Sequence, residues 1–202
     1  MRRILFVILS VGLQLNAVPS DAIYDRRKEE EIGKGVHDNA YVLYDSSFAK
    51  LYEEKKQPMS RNDENQEKKI RNDFTMLFKK VEQHFNNRSV MIRIKVLNIS
   101  NNDDLGVPYK DGTKTLHGNK TLERLKEYAK KINHTTDSVF YLFKLATFKT
   151  FCTDQVSAAL VSRKYKWWSI WSTTHATAIT FGAERYTWFT LEDRKTMKEV
   201  FS

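Results

Sequence analysis

Val139-Phe140-Tyr141-Leu142-Phe143 is an unbroken apolar run preceded by Asp137. A strand with one face in water alternates apolar and polar residues. A strand apolar at every position has both faces covered, as in the middle of a parallel sheet. Such a strand needs helices on both sides, which points to the α/β class. The flanking segments supply the remaining parts. Tyr41-Val42-Leu43-Tyr44 reads as a buried strand, and Asp45-Ser46-Ser47 stops it at a helix cap. Phe48, Leu51 and Tyr52 continue at helical spacing. A charged stretch from Glu53 to Lys69, carrying Pro58, reads as a loop running into the next helix. Ile70, Phe74, Leu77, Phe78, Val81 and Phe85 fall on one stripe of an amphipathic helix that Asn86-Asn87 ends. Val90 to Leu97 interleaves apolar residues with Arg93 and Lys95, the pattern of a half-buried strand. After a polar loop from Asn101 to Gly118, Leu122, Leu125, Tyr128, Ala129 and Ile132 mark a third helix, and Val156 to Val161 a further strand. The predicted order is strand, helix, helix, strand, helix, strand, strand, helix. It implies a mostly parallel twisted sheet of about four strands with helices on both faces.

The first residues bear on destination. Arg2 and Arg3 precede an apolar run from Ile4 to Leu15, and the small residue Ala17 follows. This is the pattern of a secretory signal peptide, over residues 1–17. The run is shorter than the roughly 20 residues of a membrane span. No later segment is apolar enough to cross, so a secreted, extracellular protein without stable membrane insertion is expected. Removing Arg2 and Arg3 lowers the formal charge from +9 to +7. That balance suits acidic surfaces such as sulphated glycans, and nucleic acid is a poor partner for a secreted chain. Residues 18–39, with Arg26-Arg27-Lys28-Glu29-Glu30-Glu31 at their centre, read as a flexible charged arm ahead of a single domain over residues 40–202.

Cys152 is the only cysteine, so no internal disulfide is available and packing must supply stability. It is either buried, as flanking Phe151 and Val156 favour, or bridges two chains. Four N-x-S/T sequons, at Asn87, Asn98, Asn119 and Asn133, predict a glycoprotein with these sites on its surface.

Thr174-His175-Ala176-Thr177-Ala178-Ile179-Thr180-Phe181-Gly182-Ala183-Glu184-Arg185 has the spacing of the zinc-protease helix H-E-x-x-H-x-x-G-x-x-H. The first His is kept at His175 and the Gly at Gly182. With this helix in last place, the order of elements resembles the upper subdomain of reprolysin-type (ADAM-like) metzincins, among which the secreted salivary metalloproteases of ticks look most similar. Val42-Leu43-Tyr44-Asp45 is similar to that family's opening strand. Ile70 to Leu97 resembles its long helix and second strand. Leu116 through Asp137-Ser138-Val139-Phe140 resembles its next helix and third strand. Phe151-Cys152-Thr153 and Thr173-Thr174-His175 match the approach to the zinc helix. The resemblance spans roughly residues 41–185.

Against the family pattern, Ala176 stands at the position of the Glu base, and Ile179 and Arg185 replace the other two zinc ligands. The family's Cys matching Cys152 has a partner beyond the helix, and here there is none. Only the arm of residues 18–39 stands where the family has a propeptide. Only Lys144 to Phe151 stands where it has a substrate-holding edge strand. Where it has a lower subdomain with a Met-turn, only Tyr186 to Ser202 follows, with Met197 as a vestige of that turn. A catalytic zinc needs three protein ligands and an open position. One His, an apolar side chain and a permanent cation do not supply them, so neither zinc nor another cofactor is expected. His37, His84, His117 and His134 lack ligand spacing, and Asp103-Asp104 reads as a solvated turn. Cys152 lacks an identifiable base. Gly182 keeps a structural use, since a Gly just past a helix can take the left-handed conformation that ends it.

The expected function is a catalytically inactive pseudoprotease that binds an extracellular protein, with His175 a relic that lines a cleft or is partly buried. Two alternatives remain: a truncated product of an active zinc metalloendopeptidase gene, or a module that grips polyanions or membrane surfaces. The last would use Lys164, Lys166, Trp167, Trp168 and Trp171 from the run Arg163 to Trp171, unless the tryptophans pack beneath the sheet.

Overall fold

The computed structural model describes residues 30–53, 63–110, 115–132, 137–144, 147–148, 158–162 and 169–202. The signal-peptide segment, Asn133, His134, Cys152, Lys164, Lys166, Trp167 and Trp168 lie outside the described residues. The described chain is α/β. In chain order its elements are β1 (Ile32–Tyr44), α1 (Ser46–Glu53), α2 (Asp63–Asn86), β2 (Val90–Asn101), β3 (Thr115–Leu116), α3 (Gly118–Lys131), β4 (Ser138–Lys144), β5 (Thr147–Phe148), β6 (Ala158–Ser162), α4 (Ser169–Thr180) and α5 (Leu191–Phe201).

A parallel open sheet runs in the order β2-β1-β4-β6. Every residue of β4 is buried, as its unbroken apolar run requires. Its two faces meet two different cores. Val139, Tyr141 and Phe143 join Val42, Tyr44, Phe48 and the α2 residues Ile70, Phe74 and Phe78. Phe140 and Leu142 point the other way, onto Leu125 and Ala129 of α3. Aromatic rings knit the first face: Phe74 and Phe143 meet edge to face at 4.7 Å, as do Phe78 and Tyr141 at 4.8 Å. Such pairs add about 0.5–1.5 kcal/mol beyond the burial of their area. β5 pairs in parallel with β3, outside the main sheet.

After β2 the chain returns by way of α3 to the opposite side of β1, so the strand order reverses between β1 and β4 while all strands stay parallel. At the carboxyl ends of these two strands, Asp45 and Lys144 form a buried ion pair of 3.2 Å. Asp45 also caps α1 as expected, its Oδ1 accepting from the Phe48 N–H at 3.0 Å. The loop after β2 closes over Lys144 at Gly106, where a Cβ would stand 2.5 Å from the ammonium. Asp103, in the same loop, accepts from the Ser46 N–H at 2.7 Å and from the Ser46 hydroxyl at 2.5 Å. These hydrogen bonds hold its pKa below the usual carboxylate value. It serves as a second cap, not half of an acid/base pair.

Two expectations need correction. Residues 32–39 are not part of a flexible arm: β1 begins at Ile32, which is buried beside Val90 and Phe189. The charges around it hid a strand interrupted by Gly33 and Gly35. Their positive φ angles, 74° and 85°, lie between Ile32, paired with Val90, and Val36, paired with Ile92. Three β1 residues thus stand opposite Met91 alone. The second correction concerns the C-terminal segment, which forms α5 instead of a remnant turn. Met197 is fully buried in the core with Val81, Phe85 and Ala178. Thr190 and Asp193 make a capping box at the start of α5. Arg194 donates to the carbonyls of Glu30 and of Arg88, the latter at 2.9 Å, tying α5 to the start of β1 and the α2–β2 turn.

Gly182 ends α4 with φ of 86°, as expected. Its N–H donates to the Ile179 carbonyl and that of Ala183 to the Ala178 carbonyl, the two hydrogen bonds of a Schellman motif. A Cβ at Gly182 would also meet Thr196 Cγ2 of α5 at 2.8 Å. At Gly35 a Cβ would meet nothing within 4 Å. Gly35→Ala is therefore expected to cost only backbone strain, about 1 kcal/mol. Gly182→Ala should cost more, roughly 2–3 kcal/mol in urea unfolding, because the clash adds to the strain. Equal losses at the two sites would contradict the packing of α4 on α5.

Candidate functional site

α4 carries the sequence that singled this chain out, and it is apolar nearly all round. Thr173, Thr174, Ala176, Thr177, Ala178 and Thr180 are buried. Ala176 belongs to the core shared with α2 and the middle of the sheet, and Ala178 to the core shared with α5. The helix therefore joins the two clusters. Small residues and threonines let it lie close to its neighbours. Thr177 and Thr180 return their hydroxyls to the carbonyls of Thr173 and Ala176, at 2.8 and 2.9 Å, whereas the buried Thr174 hydroxyl has no hydrogen-bond partner.

One stripe of α4 reaches the surface, through Trp171, Ser172, His175 and Ile179. His175 and Ile179 share it because they lie four residues apart. The imidazole of His175 is half-buried against Tyr186, ring centroids 4.6 Å apart, and burial pulls its pKa below the ordinary value. Ala176, next in sequence, faces inward and has no exposed surface. Arg185 is exposed beyond the end of the helix. Among the described residues, no group of three or more His, Cys, Asp or Glu gathers where it could hold a metal ion. The residues at the three ligand positions do not fit zinc: Ile179 has no lone pair, and Arg185 is a permanent cation.

Around His175 lies an aromatic cluster. Trp171 meets the ring of His84 edge to face at 5.8 Å and that of Tyr186 at 6.3 Å. Nε2 of His84 is hydrogen-bonded to the carbonyl of Tyr186, and burial is the main cause of its lowered pKa. Arg88 donates to the carbonyl of Thr187 at 2.6 Å, fixing the same segment. Trp171, Trp188 and Leu191 are 45%, 63% and 80% exposed, large apolar surface for side chains on an ordered frame. Of the histidines without ligand spacing, His84 is thus brought beside His175. His37 stands exposed on β1, and His117 precedes α3 against Tyr109. Nothing in the spacing of His84 marked it, since its partner lies 102 residues away. Asn87, Asn98 and Asn119 are all exposed.

Sequence reasoning missed a second feature. Asp38 of β1 is buried, 3% exposed, on the sheet face that α4 covers. Its Oδ2 lies 3.3 Å from the Tyr141 hydroxyl, which lies 3.2 Å from the Thr177 hydroxyl. Tyr141 donates to Asp38 Oδ2, and Thr177 donates to the carbonyl of Thr173. Burial raises the Asp38 pKa to about 7, against the lowering effect of the Tyr141 hydrogen bond, and nearby Asp137 adds to the rise.

No family model matches this chain, and no curated protein matches it.

The Asp38 pKa rises from 3.8 unfolded to about 7 folded. Between these values the folded state holds a proton that the unfolded state has released. Stability therefore falls as pH rises from about 4 to 7 and levels off above, by a few kcal/mol. Asp38→Asn should flatten that slope when urea midpoints are compared at about pH 5 and pH 8. An unchanged slope would show that Asp38 does not titrate there.

Proposed function

We propose that the chain is a secreted, glycosylated homologue of the reprolysin-type metzincins that has lost catalysis and acts by binding an extracellular protein. The observation that carries this reading is the outward stripe of α4. The position that keeps a zinc-binding residue, His175, and the one that has lost it, Ile179, share that stripe, and the helix ends at the left-handed Gly182. The surface on which the family would hold metal here carries a half-buried imidazole packed on Tyr186, with the exposed Trp171 on the same ring; Trp188 and Leu191, in the segment that follows, are exposed as well. Exposed aromatic side chains on an ordered frame supply large contact area at low entropic cost, which suits a protein partner. The parallel sheet, the long helix leading into β2 and the helices on both faces support the family reading. The exposed sequon asparagines Asn87, Asn98 and Asn119 support glycosylation, and no helix among the described residues is long and apolar enough to cross a membrane.

The reading is tested by metal analysis and peptide hydrolysis on protein secreted from eukaryotic cells and purified without chelator. Sub-stoichiometric zinc and no cleavage of a denatured protein substrate are expected. Stoichiometric zinc together with cleavage would overturn the proposal. Restoring the base alone should not help. Ala176→Glu places a carboxylate in the aromatic core, so it should destabilise the fold by at least about 3 kcal/mol and confer no hydrolysis. A stable, zinc-binding Ala176→Glu protein would show that this position faces a cleft.

A further inference from the structure

A cavity of about 350 Å³ opens where β1 and β4 begin, beneath the carboxyl ends of α4 and α5. Val36, Asp38 and Val139 line it from the sheet, and Phe181, Val200 and Phe201 line it from the helix side. Val36 and Asp38 are two residues apart on β1 and so project from the same face. Asp38 pairs through Oδ2 with Tyr141, but its Oδ1 is buried and has no hydrogen-bond partner. In the ionised carboxylate that oxygen is an acceptor, and leaving it unmet costs stability.

The electrostatic setting selects the donor that would meet it. Asp137 stands at the rim, beside Asp38 across the β1–β4 ladder. The ends of two helices, at Thr180 and Phe201, direct the negative ends of their dipoles toward the same space. Of the basic rim residues, Lys34 is engaged by Glu31 at 2.6 Å, and His37 is exposed. The rings of Phe181 and Phe201 meet edge to face at 5.3 Å and can offer a π face to a cation. A volume near the low end of the usual range for ligand sites, about 300–1,000 Å³, limits the guest to a small molecule or a single side chain.

We propose that this cavity binds an ammonium group carried on a small apolar body, with Asp38 Oδ1 accepting its hydrogen bond and Phe181 and Phe201 packing on its hydrocarbon part. The guest is a free monoamine or a lysine side chain of another protein, since both present the same chemistry. The site does not depend on the ancestry of α4 or on the protein-binding role proposed above.

The test titrates 2-phenylethylamine, its uncharged counterpart 2-phenylethanol, and lysine capped at both ends into the intact protein at about pH 8, where Asp38 is mostly ionised. Calorimetry supplies affinities, and NMR shifts locate the guest at Val139, Val200 and Phe201. At least one of the two amines should bind about tenfold or more tightly than the alcohol. Tighter binding of 2-phenylethylamine assigns the cavity to free amines, and tighter binding of capped lysine to a partner's side chain. Asp38→Asn should bring the amine down to the affinity of the alcohol. Val200→Trp, at the half-buried wall, should abolish binding while circular dichroism stays unchanged. Equal affinity of amines and alcohol, no binding up to ~10 mM, or shifts confined to other residues would overturn the proposal. These readouts on the wild-type chain decide it even if a variant does not fold.

Discussion

β4 has no face to show to water, and much of the arrangement follows from that. A strand buried from Ser138 to Lys144 must be paired on both edges and covered on both sides. β1 and β6 supply the pairing, α2 and α4 one cover, and α3 the other. Burial also forces a solution on each polar group the strand carries. Lys144 finds Asp45 at the carboxyl end of β1, and Tyr141 finds Asp38 and Thr177. The polar chemistry of the interior lies at the two ends of the β1–β4 pair because only there do side chains from several elements converge.

The same constraint changes what the His175 segment means. In sequence it has the spacing of a metal-binding helix without the donor set. In the fold it is a strut whose inward residues fill the space between two hydrophobic clusters, and whose outward residues reach the surface. Ala176 is a packing residue, and a longer polar side chain there would enter the core that holds Phe78 and Tyr141. Gly182 and α5 complete this use of the helix: the left-handed turn brings Thr196 against it, and Met197 closes the adjoining core. Two features separate this helix from zinc chemistry: Ile179 and Arg185 offer no donor atoms, and the position next to His175 is buried.

The elements with strong periodicity were legible in the sequence. The stripe from Ile70 to Phe85 became α2, the alternation after Val90 became β2, and the unbroken run at Val139 became the central β4. What escaped had weak or contradictory local signals. β1 was hidden at its start by charge and two glycines, although Ile32 is buried. α5 has a narrow apolar pattern, yet Thr190 and Asp193 carry the capping-box spacing that would have revealed it. The meeting of Asp38 with Tyr141 and Thr177 could not be read from spacing. Its members lie 103 and 36 residues apart, and only the strand register brings them together. The contact of His84 with the segment after α4 is hidden for the same reason.

The central claim is that α4 is held by burial and not by metal. Native-state hydrogen exchange of the Thr177 to Phe181 amides, measured with and without excess zinc, tests it most directly. If burial alone holds the helix, these amides exchange only through global unfolding and zinc leaves their protection unchanged. Exchange through local opening, or protection that rises when zinc is added, would contradict the account.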